Sequence, residues 1–322
     1  MKGRLFGKIA IVTGAGRGIG RAEALALAAE GARVLVNDLG CDLDGQGASM
    51  SPAEEVVAEI RRMGGEALAN CDTVATVQGG ENVIRAAIDG FGGLDILVNN
   101  AGVMRDRMIF NMSEDDWGLV MRVNLDGHFN CTKAACVWFR KQWKEQGKGG
   151  RIINTSSTAG LGYIGQANYS AAKEGIVGFT RSVALDMARY GVTCNAIRPS
   201  AATRMSTGPQ AKAGWEAAGL GDLWERRDKL SPEAVAPLVT YLATDEAAHI
   251  SGRVFRVLEG EIGIYSQPIV VKSIHKTGRW TLTELSDLVP KRLVDGTAAT
   301  GESRVRRGRP TGYEFSDFDV VE

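Results

Sequence analysis

Three side chains in one short stretch have the types and spacing for proton chemistry on an alcohol. Tyr169 and Lys173 stand four residues apart in Asn168-Tyr169-Ser170-Ala171-Ala172-Lys173, so a helix would place them on one face, one turn from each other. A free tyrosine, with a pKa near ~10, is a poor base at neutral pH. An ammonium held close favours its phenolate. Ser156, thirteen residues before Tyr169, falls at the end of a predicted strand, Arg151–Thr155. From there its hydroxyl would hold the substrate oxygen. A Tyr-x-x-x-Lys pair by itself is more often a surface pair than a site, so its meaning depends on what positions it.

The elements around it alternate. Short apolar runs predict strands at Lys8–Thr13, Arg33–Asn37, Ala67–Asn70, Leu94–Asn99, Arg151–Thr155, Val192–Ile197 and Arg253–Val257. Helical patterns lie between them at Gly18–Glu30, from Ser51 onward, and at Ala75–Phe91, Ser113–Gln146 and Asn168–Tyr190. Ser51-Pro52-Ala53-Glu54 reads as serine cap, proline at the first helical position and glutamate three after the cap; Ser231-Pro232-Glu233 opens a late helix to about Thr244. This order predicts a parallel sheet covered on both faces by helices.

A second motif sits between the first strand and the first helix. Thr13-Gly14-Ala15-Gly16-Arg17-Gly18-Ile19-Gly20 offers close backbone approach and a helix N-terminus with free N–H groups, which suits a dinucleotide pyrophosphate. A nicotinamide ring brought beside Tyr169 would favour the phenolate further. Asp38 ends the second strand, where a carboxylate accepts the ribose hydroxyls of an adenosine. Asp72, after the third strand, is a candidate for the adenine edge, and equally a turn-forming aspartate. Asn99-Asn100-Ala101-Gly102 follows the fourth strand; its small residues leave room for a cofactor, and its asparagines can tie strand ends together.

Composition narrows the class. The 322 residues are 44% hydrophobic and 24% charged, with a formal net charge of zero, so the bulk balance points to neither nucleic acid nor an anionic membrane surface. Five cysteines form no Cys-x-x-Cys pair and suit a reducing cytoplasm, and three separated histidines match no metal-ligand spacing, so no metal is expected. No apolar run is long enough to span a membrane.

The set Thr13…Gly20, Asn99–Gly102, Asn124, Ser156 and Tyr169-x-x-x-Lys173, in this order, resembles the short-chain dehydrogenase/reductase family over roughly residues 5–262. The resemblance implies an α/β fold, a Rossmann-type doubly wound parallel sheet of about seven strands with a C-terminal extension, and one-step hydride transfer with a nicotinamide cofactor. By it, Tyr169 is the acid/base, Lys173 lowers its pKa and holds the nicotinamide ribose, Ser156 positions the substrate, and Asn124 anchors a water in a proton relay through Lys173. Gly14, Arg17, Gly18, Ile19, Gly20, Asp38, Leu39, Asp72, Asn100, Ala101 and Gly102 are the expected cofactor contacts. The family's Pro-Gly after the sixth strand is here Pro199-Ser200, with Thr203 in the place that meets the carboxamide. Arg17 occupies a position where a basic residue accompanies NADP in this family, whereas Asp38 would sit against a 2′-phosphate, and Leu39 adds no second positive charge. NAD is therefore the expected cofactor.

Asn37-Asp38-Leu39-Gly40, Arg105-Asp106-Arg107, Asp116-Trp117, Arg204-Met205 and Val235–Val239 are similar to the (3R)-hydroxyacyl-CoA dehydrogenase and hydroxysteroid dehydrogenase branch. The resemblance implies a bulky apolar small-molecule substrate; smaller cyclic or terpenoid alcohols, or a silent dinucleotide-binding sensor, are the alternatives. Residues 1–262 are read as the catalytic domain, 263–294 as an extension packed on the core with a capping box at Thr281–Glu284 and a helix to about Leu293, and 295–322 as a polar tail. Residues 200–229 read as a substrate-covering lid, and the arginines at 304–309 as a candidate anchor for CoA phosphates. In the family the helices Ser113–Gln146 and Asn168–Tyr190 pack on a partner, which predicts a homodimer or homotetramer; Val137, Trp138, Phe139, Ile176, Phe179 and Val183 are the apolar residues expected there.

Overall fold

Continuous apolar runs bounded by glycine-rich turns become the strands of one sheet, because burial on both faces leaves no position for a solvent-facing side chain. A computed structural model of the chain describes residues 3–41, 47, 49–203 and 230–294. The sheet has eight strands in the order β3-β2-β1-β4-β5-β6-β7-β8. They are β1 (Ile9–Thr13), β2 (Arg33–Asn37), β3 (Ala67–Asn70), β4 (Ile96–Asn99), β5 (Arg151–Thr155), β6 (Thr193–Pro199), β7 (Val254–Leu258) and β8 (Glu261–Ile264). The first seven are parallel, as expected; β8 is an addition, folding back antiparallel on β7 with Val257 opposite Ile262. Glu259 and Gly260 (φ 74°) make that tight turn, too short a signal to stand out in the sequence.

Helices α1 (Gly18–Ala29) and α2 (Ser51–Arg62) cover one face together with α7 (Ala236–Ala243). The other face is covered by α3 (Val77–Phe91), α5 (Gly127–Gln146) and α6 (Ala167–Met187). Strand order reverses between β1 and β4, so a crevice opens at their carboxyl ends, where open α/β sheets take their ligands.

Several boundaries moved for identifiable reasons. Met50 is already helical (φ −74°, ψ −19°), so Ser51 does not cap α2; the Ser49 hydroxyl instead accepts from the Ser51 N–H at 3.3 Å. The expected single helix 113–146 is three pieces: α4 (Glu114–Val120), a wide π-helical turn (Met121–Asp126) and α5. Within that turn the Asn124 amide donates to the Val120 carbonyl, 2.9 Å away, in competition with the backbone ladder. The late helix begins as a 3₁₀ turn at Pro232–Ala234.

The capping box at Thr281 is present, opening α8 (Leu282–Leu288), which continues as a π turn over Val289–Val294. The extension meets the core at its start. Tyr265 packs on Val177, Ala196 and Val254, and Gln267 donates to the Gly252 carbonyl at 3.2 Å. Beyond them no described residue up to Val294 is buried, and Ile269, Val270 and Val271 lie open to solvent. The expected lid beyond Thr203 and the arginines at 304–309 lie outside the described residues. The apolar residues expected at a subunit interface need correcting. Phe139, Ile176 and Val183 are buried in the chain's own core, Trp138 and Phe179 pack against it, and of that set only Val137 stands well exposed.

Candidate active site

Each of the carboxyl strand ends delivers one part of the crevice. The turn after β1 is the glycine loop. Gly14 (φ 64°) passes so close to β4 that a β-carbon there would stand 2.7 Å from Ala101 Cα, and one on Gly20 would stand 2.3 Å from the Gly14 carbonyl oxygen. The loop is pinned from the far side by Asn100, whose amide donates to the Thr13 and Gly14 carbonyls, both at 3.1 Å. Arg17 precedes α1 without a side-chain cap, and the first turn holds no acidic residue, so its N–H groups remain for an anion. Such an end fits a pyrophosphate. Thr203, beyond the end of β6, reaches over the same loop, its Cγ2 3.4 Å from where a β-carbon on Gly18 would lie.

Asp38 ends β2 beneath the loop. Its two oxygens accept from Gly16 N–H and Gly40 N–H, each at 2.7 Å, and the side chain is 8% exposed. Asp72 sits in a turn. One oxygen accepts from Asn70 at 2.7 Å and the other from Asn82 at 3.0 Å, while its carbonyl receives the Asn37 amide.

The proton-handling residues converge at the ends of β4 and β5. Tyr169 and Lys173 lie one turn apart on α6, with Lys173 Nζ 5.5 Å from the Tyr169 ring centre. Ser156, just past β5, donates its hydroxyl to the Lys173 carbonyl at 2.7 Å, which ties strand to helix. Lys173 Nζ in turn donates to the Thr155 carbonyl at 2.8 Å. Burial pushes the Lys173 ammonium down to about 7. Asn124 is buried at the π turn, and its amide is held by the Val103 and Val120 carbonyls, both at 2.9 Å. That geometry aims Oδ1 at the Lys173 region. A β-carbon on Gly102 would lie 2.6 Å from Asn124 Oδ1 and 3.7 Å from Lys173 Nζ, which explains the glycine.

Asparagines tie the strand ends as the sequence suggested, but the sequence reading missed how far the polar support behind this group extends. Asn99 donates to Thr132 and to Asn154, both at 2.9 Å, and Asn154 donates to Thr180, forming a buried ladder across β4, β5 and the two helices. Buried Asn168 donates to the Arg105 and Asp116 carbonyls. His128 is 2% exposed, one turn beyond Asn124. Polar residues on the inward faces of α5 and α6 were the available signal, although helical spacing alone does not say which face is inward. Among the described residues no three His, Cys, Asp or Glu side chains gather as metal ligands, and no helix is long and apolar enough to cross a membrane.

Two loops form the mouth. Arg107 N–H donates to the Gly165 carbonyl at 2.8 Å, joining a loop that carries exposed Met108, Ile109 and Phe110 to one that carries exposed Leu161, Tyr163 and Ile164; Phe110 is 77% and Ile164 63% exposed.

A family model described as short chain dehydrogenase matches residues 8–213. The chain is 45% identical over 261 residues to the peroxisomal multifunctional enzyme type 2 of Mus musculus, covering 81% of this chain but only 33% of that protein. It is 42% identical over 292 residues to the hydroxyacyl-CoA dehydrogenase ChsB1 of Mycobacterium tuberculosis, covering 88% and 87% of the two chains. The crystal structure of a short chain dehydrogenase from Mycobacterium avium superposes with a TM-score of 0.77 at 46% identity, over 89% of this chain and 95% of that one.

Proposed function

The chain belongs to the short-chain dehydrogenase family, a family of nicotinamide-dinucleotide oxidoreductases, and from that premise we propose that it is an NAD-dependent dehydrogenase of 3-hydroxyacyl-CoA esters. What carries the reading is the convergence of Ser156, Tyr169 and a buried Lys173 at the carboxyl ends of the strands, beside an uncapped α1. A silent sensor would need none of that proton chemistry. When bound, the dinucleotide supplies the site that accepts or gives up a hydride.

The chain's own residues do the remainder. Tyr169 Oη takes the hydroxyl proton of the alcohol in oxidation and returns it to the ketone in reduction. The Lys173 head, held at the Thr155 carbonyl, stabilises the phenolate and reaches the cofactor ribose. Ser156 holds the substrate oxygen. Its proton points to the Lys173 carbonyl in the free protein, and rotation of the hydroxyl turns it to the substrate oxygen, which leaves the alcohol's own proton for Tyr169. Asn124, fixed through its amide, keeps Oδ1 for a water that links Lys173 to solvent. Gly14, Gly18, Ile19 and Gly20 would cradle the pyrophosphate, with Asn100, Ala101 and Gly102 along the nicotinamide side, and Pro199 and Thr203 at the carboxamide.

Asp38 favours NAD. Its carboxylate is tied to two backbone N–H groups, so turning it away from a 2′-phosphate would forfeit charge-assisted hydrogen bonds of ~1.5–3 kcal/mol each. The exposed apolar residues of the two loops and the name of the mycobacterial hydroxyacyl-CoA dehydrogenase support an acyl-CoA substrate. The test is a panel of (3R)-3-hydroxyacyl-CoA esters, hydroxysteroids and small cyclic alcohols with NAD and NADP, followed by nicotinamide absorbance. Preference for a cyclic alcohol, or no turnover with any, would overturn the assignment.

A further inference from the structure

Three buried side-chain atoms without a hydrogen-bond partner among the described residues come from neighbouring elements on the α5 side of the sheet: Asn99 Oδ1 at the end of β4, Asn124 Oδ1 in the π turn and His128 Nε2 on α5. Asn124 Oδ1 shares the space over Gly102 with Lys173 Nζ, which is itself held at the Thr155 carbonyl. A buried polar atom without a partner is costly in a folded protein, and several together mark a chamber that suits ordered water. His128 is the least expected member. It sits four residues after Asn124, 2% exposed, and its ring is hydrogen-bonded to the backbone of Asn124 and of Asn99. A π turn shifts the ladder by one residue and loosens the backbone pairing at its junctions, so a side-chain donor to Asn124's backbone fixes the turn where Asn124 depends on it.

We propose that His128 is a positioning residue for the proton-handling group: one ring nitrogen donates to the carbonyls that set Asn124 and β4, and the other accepts from water in the chamber shared with Lys173. It acts in the neutral form. Burial and the Lys173 charge both hold its imidazolium well below the ordinary histidine range. The role needs one donor and one acceptor on a short planar group, which asparagine can imitate and valine cannot. The inference rests on the dehydrogenase reading above.

The experiment compares wild type, His128→Asn and His128→Val with the best substrate of the panel. Measured are kcat, KM, NADH affinity by fluorescence, and the thermal midpoint. The expected result is a loss of at least tenfold in kcat for His128→Val, with KM and NADH affinity within about twofold, and recovery to within about threefold of wild type in His128→Asn. Full activity in His128→Val would overturn the proposal. So would equal losses in both variants that follow their thermal midpoints, because packing alone would then account for the residue. If the wild type itself turns over nothing, the dehydrogenase reading fails instead, and the two failures are distinguishable.

Discussion

Lys173 shows how a single residue trades stability for chemistry. Its ordinary value of 10.5 falls to about 7 on burial. Between those limits the unfolded chain binds a proton that the folded chain has released, so stability rises with pH from about 7 to 10.5 and the charged-group penalty is full below 7. Lys173→Met should therefore abolish turnover while shifting the denaturant midpoint upward at neutral pH. The gain would be of order 2 kcal/mol once the lost bond to the Thr155 carbonyl is subtracted, and the pH slope should disappear. An unfolding midpoint lower than wild type at pH 7 would refute this. Asp38 is the second residue-scale case. With its carboxylate pinned against the ribose side, NAD should exceed NADP by roughly 2 kcal/mol, about thirtyfold in catalytic efficiency. Asp38→Ser with Leu39→Arg should reverse the order. A wild-type ratio near one would mean that Arg17 outweighs the carboxylate.

The elements were legible where spacing and burial agree. Residues Arg33–Asn37, Ala67–Asn70 and Arg151–Thr155 read directly as strands, and Tyr169 and Lys173 fell on one helix face as their spacing requires. The π turn did not show, since Met-Arg-Val-Asn-Leu-Asp carries no proline or glycine, and the Asn124 amide that bonds the local Val120 carbonyl also needs the distant Val103 carbonyl. Asn99 showed as a tie between strand ends, but its continuation through Asn154 to Thr180 did not, because each member is an ordinary polar residue until three elements meet. Gly102 tests the π turn's placement. Gly102→Ala sets a β-carbon 2.6 Å from Asn124 Oδ1, so the amide must shift. The expected outcome is at least a tenfold fall in kcat with the thermal midpoint within a few degrees of wild type. Activity within twofold would show that Asn124 does not need its present position.

At the scale of the whole molecule, one end of the sheet assembles the cofactor cradle, the proton-handling group and an apolar mouth. Assembly with other copies is a separate matter. Phe129, Val137, Trp143 and Leu185 are the large apolar side chains that α5 and α6 leave open, a smaller set than the sequence suggested, and light scattering at micromolar concentration should still give a dimer or tetramer. A monomer would remove that expectation without touching the chemistry. The central claim is that Tyr169 moves the substrate proton on this scaffold, and the most direct measurement is single-substrate turnover of wild type beside Tyr169→Phe, with NAD affinity measured in both. General acid–base catalysis is worth ~10² to 10⁴ in rate, so the variant should bind NAD normally and lose at least a hundredfold in kcat. A Tyr169→Phe enzyme that keeps more than a tenth of wild-type turnover would contradict the account.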